Sequence, residues 1–342
     1  MHVPDGFLDA PTSIATGVIA AGTIAVALNR SRSELNEKTA PMAGLTAAFV
    51  FAVQMLNFPV GVGTSGHLMG GALAAVLVGP WTAILVLSVV LLVQALVFAD
   101  GGLTALGTNI LLIGIVTVAV GWAVTKLVLT FLPKRPASVV PASFVGALLS
   151  VPAAAAVFVL LYVIGGATEL PFGPLLATML GWHTLIGLGE AFITAATVGA
   201  VVAVRPDLVY AARGLTEALV LRTPDGREIP ASEVSVEPAS KRRSPWPLLV
   251  GGLGVSLILA GVVSFFASGN PDGLEYVAEQ EGFLEAAEDS AVGGFSLADY
   301  GEVGGIPVGV AGLIGVGITI LIGLALFLLL SRRSTESERV DA

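Results

Sequence analysis

The 342-residue chain holds three histidines and no cysteine, so any transition-metal chemistry must use nitrogen and oxygen donors. His2 is placed for such chemistry by covalent geometry alone. The amine of Met1 and the backbone nitrogen of His2 are separated by two carbons, so an ion bound to both closes a five-membered ring. Nδ1 of the His2 imidazole closes a six-membered ring from the same backbone nitrogen. With the amide deprotonated, three nitrogens share one plane, a set suited to Ni(II) and Cu(II) and open to Co(II), and ill suited to the hard ions Mg(II) and Ca(II). His67 is the candidate for the remaining in-plane position. It arrives in GVGTSGHLMGG, where Gly61, Gly63 and Gly66 permit tight turns and close backbone approach. Pro4 and Gly6 shape the start of the chain in the same way.

Further polar residues could support such a site. His183 and Glu190 are seven positions apart and so share a helix face. An acid within a membrane span is a functional candidate by default, so Glu190 is expected to support the site, accept a proton or hold a buried structural partner. A histidine near a helix end is more often a hydrogen-bonded structural residue than a ligand, and His183 is expected only to support. Asp100, Thr104 and Asn109 are expected to brace the ligands from behind.

The elements that must position these residues follow from composition. At 55% hydrophobic, 12% charged and mean hydropathy +0.91, the chain has too little polar surface for a water-soluble fold and is an all-α integral membrane protein. A helix of roughly 20 apolar residues crosses the hydrocarbon core. Nine spans are predicted: Thr12 to Leu28, Pro41 to Leu56, His67 to Gly79, Trp81 to Ala99, Asn109 to Leu132, Val139 to Ile164, Leu175 to Val204, Pro247 to Ala267 and Ile306 to Leu330. The third is short and interrupted by Gly70 and Gly71, so it could be re-entrant.

Charge argues for a crossing. With nine spans and the N-terminus outside, all 16 Lys and Arg fall on the cytoplasmic side, from Arg30, Arg32 and Lys38 to Arg332, Arg333 and Arg339. Without the third crossing, 13 of the 16 would sit opposite the first three. This topology puts the C-terminus inside and brings His2, His67 and His183 to the outer ends of spans. The first ten residues carry no Lys or Arg and include Asp5 and Asp9, so no cleavable leader is expected and the amino terminus should persist. Single cysteines at Ser65 or Ser290 are then expected to react from outside, and at Ser33 or Ser240 not.

Three regions are expected: a seven-span domain at 1–210, a polar cytoplasmic linker at 211–246 and a two-span domain at 247–342. The last pair encloses an outer loop, Ser268 to Gly305, with nine acidic residues and no Lys or Arg. It reads as a solvated loop or as a field that concentrates cations. Gly17, Ala21 and Ala25 form a row that could dock another membrane subunit.

Several classes are excluded. GVGTSG lies between hydrophobic spans and follows no Rossmann strand, so it is no dinucleotide site. No G-x-x-x-x-G-K-[ST] occurs, which leaves ATP hydrolysis to other chains, and no H-E-x-x-H marks a membrane protease. No catalytic constellation, bound cofactor or nucleic-acid partner is expected.

MHVPDGFLDAP at 1–11 and GTSGHLMGG at 63–71 resemble the substrate-capture subunit of cobalt and nickel energy-coupling-factor transporters, the CbiM/NikM family. FADGGLTALGTNI at 98–110 and WHTLIGLGEAFIT at 182–194 extend the resemblance over about residues 1 to 210. The two-span tail, with PDGLE at 271–275, is similar to the CbiN/NikN-type accessory subunit, here fused. The resemblance implies that the N-terminal segment tucks into the bundle, and that the Met1 amine, the His2 backbone and side chain, and His67 hold Co(II) or Ni(II) as cargo. It further implies separate ATPase subunits, a transmembrane coupling subunit and the cytoplasmic membrane of a prokaryote. A membrane-bound metal sensor or metallochaperone that binds without translocating is the alternative.

Overall fold

The computed structural model describes residues 1–35, 39–61, 63–215, 220–222, 228–230 and 244–340. Lys38, Ser240 and most of the 211–246 linker therefore lie outside the described residues. Among the described residues, six helices are long and apolar enough to cross a membrane, namely Ala10–Ser33, Pro80–Val97, Leu106–Phe131, Pro136–Gly165, Phe172–Val204 and Val308–Ser331. Ala40–Gln54 and Trp246–Gly261 are apolar but shorter.

In chain order, α1 (Ala10–Arg30) and α2 (Ala40–Gln54) lead into a hairpin of β1 (Phe58–Gly61) and β2 (Thr64–Gly66). Then come α3 (Gly71–Val78), α4 (Pro80–Val97) and α5 (Leu106–Asn109), which runs through a π-helical stretch, Ile110–Val116, into α6 (Thr117–Phe131). α7 (Val139–Gly165) and α8 (Phe172–Val204) complete the first part. After the short paired strands β3 (Val220–Arg222) and β4 (Glu228–Pro230) come α9 (Trp246–Gly261), α10 (Gly273–Glu281) and α11 (Val308–Val340).

Burial orders these helices into a centre and a ring. Every residue of α3 and nearly all of α2 are buried, as expected of segments apolar around their whole circumference. Outer helices keep one apolar face bare, with Ile14 and Val18 on α1, Phe192 on α8 and Leu321 on α11 exposed. Ala21 and Ala25 are exposed too, but the backbone of Gly17 packs on Gly107, so that small-residue row is split between two environments. Close approach depends on small residues: a Cβ on Gly121 would collide with Ala72, and one on Gly315 with Phe51, which seats α11 against α2.

Helix starts match their local chemistry. Asp9 caps α1 by accepting from the Thr12 amide at 2.9 Å, with a proline in the first turn. At the opposite end of α1, buried Glu34 accepts from the amides of Trp81 (3.2 Å) and Thr82 (2.7 Å) at the start of α4. The segment expected as the third span is an eight-residue helix behind a non-helical lead-in. Its helix rises about 12 Å, and Gly70 at φ +83 turns the chain into it. It runs from His67, beside Met1, to Gly79, beside Glu34, and so connects the same two ends as α1.

Candidate metal centre

The first nine residues are not a free arm. Val3 is paired with Asn109, its amide donating to Oδ1 at 2.7 Å and its carbonyl accepting from Nδ2 at 3.0 Å. The Asp5 carboxylate accepts from the amides of Leu103 (3.1 Å) and Thr104 (2.7 Å) and from the Thr104 hydroxyl at 2.5 Å. Gly6 turns the chain at φ +85, where a side chain would also strike the Ala286 carbonyl. Phe7 is fully buried against Phe283. These contacts seat Met1 and His2 inside the bundle.

His67 reaches the same place from the β-hairpin. Its Nδ1 faces the Leu68 carbonyl at 3.0 Å, which makes Nδ1 the protonated nitrogen and leaves the Nε2 lone pair free. That lone pair faces the Met1 amine at hydrogen-bonding contact. The His2 and His67 rings stack with centroids 4.8 Å apart and planes 19° from parallel. Below them, Glu190 accepts from the amides of Met69 (2.7 Å) and Gly70 (3.1 Å), where the chain turns at φ +83 into α3. Gln54 adds a bond from Nε2 to the Met69 carbonyl at 2.7 Å.

Glu190 is thus a staple for the segment that carries His67. Replacing it by Ala would leave two buried amides without acceptors, at about 1–3 kcal/mol each. We expect Glu190→Ala to lower the melting temperature of the solubilised protein by several degrees and to weaken nickel binding about tenfold. Glu190→Gln, with one acceptor oxygen left, should fall between. An unchanged melting curve for the Ala variant would remove this role.

The other expected supports divide. Asp100 meets His2, with Oδ1 at 3.2 Å from Nδ1, and its Oδ2 accepts from the Tyr300 hydroxyl at 2.5 Å. Thr104 and Asn109 hold Asp5 and Val3, so they act on the N-terminal segment and not on a ligand atom. His183 is fully buried, and its Nδ1 faces the Met179 carbonyl at 2.8 Å. Its ring packs on Gly273 of α10.

The residue that sequence reasoning missed is Asp272. It caps α10, Oδ1 accepting from the amides of Leu274 (2.7 Å) and Glu275 (2.9 Å), while Oδ2 accepts from the Met1 ammonium at 2.6 Å. Oδ2 is 3.6 Å from His67 Nε2. Burial raises the Asp272 carboxyl, but the Met1 ammonium outweighs it and holds it well below the usual range. Asp-Gly-Leu-Glu has capping-box spacing, which was the available sign that this loop is ordered. The ordering buries Ser65, whose hydroxyl donates to the Asn270 carbonyl at 2.8 Å and whose amide donates to Pro271 at 2.9 Å. The expectation that Ser65 is open to reagents is therefore corrected.

Electrostatics favour neutral nitrogen donors. Burial, the largest influence, holds the His2 imidazole at about 4 against 6.5 for a free one, with Asp100 opposing. A seated His2 is therefore stabilised above pH 6.5, and that contribution is lost as pH falls towards 4. Among the described residues no cluster of three or more His, Cys, Asp or Glu side chains has metal-holding spacing. What converges here is an amine, a backbone amide and two imidazoles, a nitrogen set that could hold a transition ion.

Comparison with known proteins identifies the family. Residues 2–208 match the family CbiM, described as "Cobalt uptake substrate-specific transmembrane region". The chain belongs to the CbiM family. Behind the CbiM region, residues 246–332 match the PDGLE domain, which contains Asp272. A protein of Archaeoglobus fulgidus, provisionally named a fused nickel transport protein NikMN, is 40% identical over 211 residues, 61% of this chain and 68% of that one. A protein of Haloquadratum walsbyi, provisionally named a metal transport protein, is 37% identical over 210 residues, covering 61% and 94% of the two chains. A solved structure titled as that of a transition metal transporter superposes with TM-score 0.52 at 28% identity, over 60% of this chain and 93% of the other. The fused relative and the PDGLE match make residues 246–332 a CbiN-like tail joined to a CbiM-type chain.

Proposed function

We propose that this chain captures Co(II) or Ni(II) outside the cell on four nitrogens, the Met1 amine, the His2 amide and Nδ1, and His67 Nε2, and that it serves uptake through an energy-coupling-factor transporter. The observation that carries the reading is the Met1 amine lying against the free lone pair of His67, under the stacked His2 ring. Loading removes one proton from the Met1 ammonium and one from the His2 amide, so a divalent ion replaces two protons and the net charge beside Asp272 is unchanged. His2 Nδ1 exchanges Asp100 for the ion. Met1 is taken as the mature terminus, which intact-mass measurement checks.

Proton release gives a pH dependence. His2 is already neutral above about pH 4, so it contributes no proton near neutrality. We expect log affinity for nickel to rise with a slope approaching two per pH unit between pH 6 and 8, read by competition titration. A slope near zero would exclude the amine and amide as ligands.

Nine crossings with the N-terminus outside are the topology that supports this function. Two contacts favour it: Leu8 bridges Gly166 at the end of α1 where Met1 lies, and Arg213 donates to the Glu34 carbonyl at the other. With no cysteine in the chain, a cysteine at exposed Ser296 should label with an impermeant maleimide in intact cells, and one at exposed Ser33 only after lysis. The reverse pattern would put the nitrogens on the wrong side.

Residues 1–210 then form the capture domain and 247–342 the accessory domain. The chain has no nucleotide motif, so accumulation in vesicles should require separate ATPase and coupling subunits. Metal binding without accumulation in the complete set would favour a sensor or metallochaperone instead.

A further inference from the structure

A polar cavity of about 290 Å3 opens directly above the two histidine rings. Its wall is built from both parts of the chain, Asp100 from the CbiM region and Glu275, Glu288 and Asp299 from the tail. Among the described residues, no Lys or Arg lines it. Two of its acids are shifted from the usual carboxylate range. Burial first, then the Asp272 charge, pushes Glu275 upward, and burial, then Glu302 and Asp100, does the same to Asp299.

Two buried polar atoms in this wall lack hydrogen-bond partners. Gln54 is 2% exposed and spends its amide NH2 on Met69, leaving Oε1 unpartnered, and His2, 9% exposed, has Nε2 unpartnered. Buried acceptors of this kind are normally satisfied by a donor. Either atom, turned into the cavity, would accept from the waters of a hydrated ion. The carboxylates are not spaced to bind a bare ion among themselves. A divalent ion with six waters, at about 30 Å3 per water, needs roughly 180 Å3 and fits.

We propose that this cavity is a second cation site, which holds the incoming divalent ion through its intact hydration shell before the ion sheds water onto the nitrogens below. The inference rests on the nitrogen site only for its direction. Occupancy of the cavity itself stands on the cavity, its acids and the two orphaned acceptors. The tail is then part of the binding surface for the hydrated ion and not only a solvated loop.

Hexaamminecobalt(III) tests this, because its ligands do not exchange and it can bind only through its outer sphere. The full chain, and equally a chain extended by one residue before Met1, should bind one equivalent of it and load nickel more slowly in its presence. The double variant Glu275→Gln with Asp299→Asn should bind it about tenfold more weakly, as expected for two charges removed a few ångströms from a cation in wet surroundings. In stopped flow that variant should load nickel about tenfold more slowly while its final nickel affinity stays within about twofold. The control pair Glu279→Gln with Glu285→Gln, exposed on the same loop, should bind normally. No binding by the wild-type chain, or equal losses in both double variants, would overturn the proposal. Nickel binding by the extended chain at native affinity would instead sink the nitrogen site and leave the hexaammine result standing.

Discussion

Nickel binding is expected to disappear when a single residue is placed before Met1. The added residue converts the amine into an amide and pushes the chelate away from His67. Structure makes the expectation stronger than covalent geometry alone. The Met1 nitrogen is buried between His67 Nε2 and Asp272 Oδ2, and Met1 is 3% exposed, so nothing longer can occupy its place unless the first three residues withdraw. Loss of a chelating donor from such a set should lower affinity by at least a thousandfold, and the low-spin nickel spectrum of a square four-nitrogen plane should vanish. The extended chain should still fold, because α1 to α8 are packed independently of the amine, but its melting temperature should drop with the lost ion pair. Native affinity in the extended chain would show that the amine is no ligand. His2→Ala and His67→Ala should each weaken nickel strongly and His183→Ala little, since His183 touches Gly273 and not the donors.

Removing the carboxylate of Asp272 should release the outer loop of the tail. Asp272→Ala leaves the Met1 ammonium buried without its counter-ion, a loss of about 3–5 kcal/mol for a broken buried pair. It also costs about 1 kcal/mol at the start of α10. Ser65 reports the release because Asn270 and Pro271 lie on it. A cysteine at Ser65 should resist an impermeant maleimide in the parent protein and react at least a hundredfold faster with Asp272→Ala added. Asp272→Asn keeps an acceptor for the cap but not the charge, and should fall between. Protection that survives Asp272→Ala would mean that the Ser65 contacts, and not the ion pair, hold the loop down.

Reading by residue chemistry could propose the Met1 and His2 nitrogens because those are local. Met1 and His2 are neighbours, and the chelate rings they form need no fold to predict them. Hydropathy likewise found the six long apolar helices of the described residues, since lipid imposes apolar length directly on sequence. Asp272 was out of reach for the opposite reason. It lies 271 positions from Met1, and no periodicity encodes a contact of that separation. The acid-rich loop read as solvent-facing because nine carboxylates outweigh Leu274 and Phe283, which are nonetheless fully buried. The third segment was ambiguous for a physical reason: Gly70 turns at φ +83 and Gly71 packs on Thr117, so its first four residues are not helical. The π-helical stretch Ile110–Val116 has no sequence sign, as its side chains would suit an ordinary helix.

The first atom of the chain rests on residue 272, while the segment between the two parts is covalent. Docking of the tail is therefore an intramolecular event, governed by an effective concentration that the covalent connection sets. Contacts too weak to join two free proteins at cellular concentrations suffice here. A split version, with residues 1–215 and 244–342 made as separate chains, would lose that advantage, and its two halves would find each other only as fast as diffusion in the membrane and their own expression levels allow.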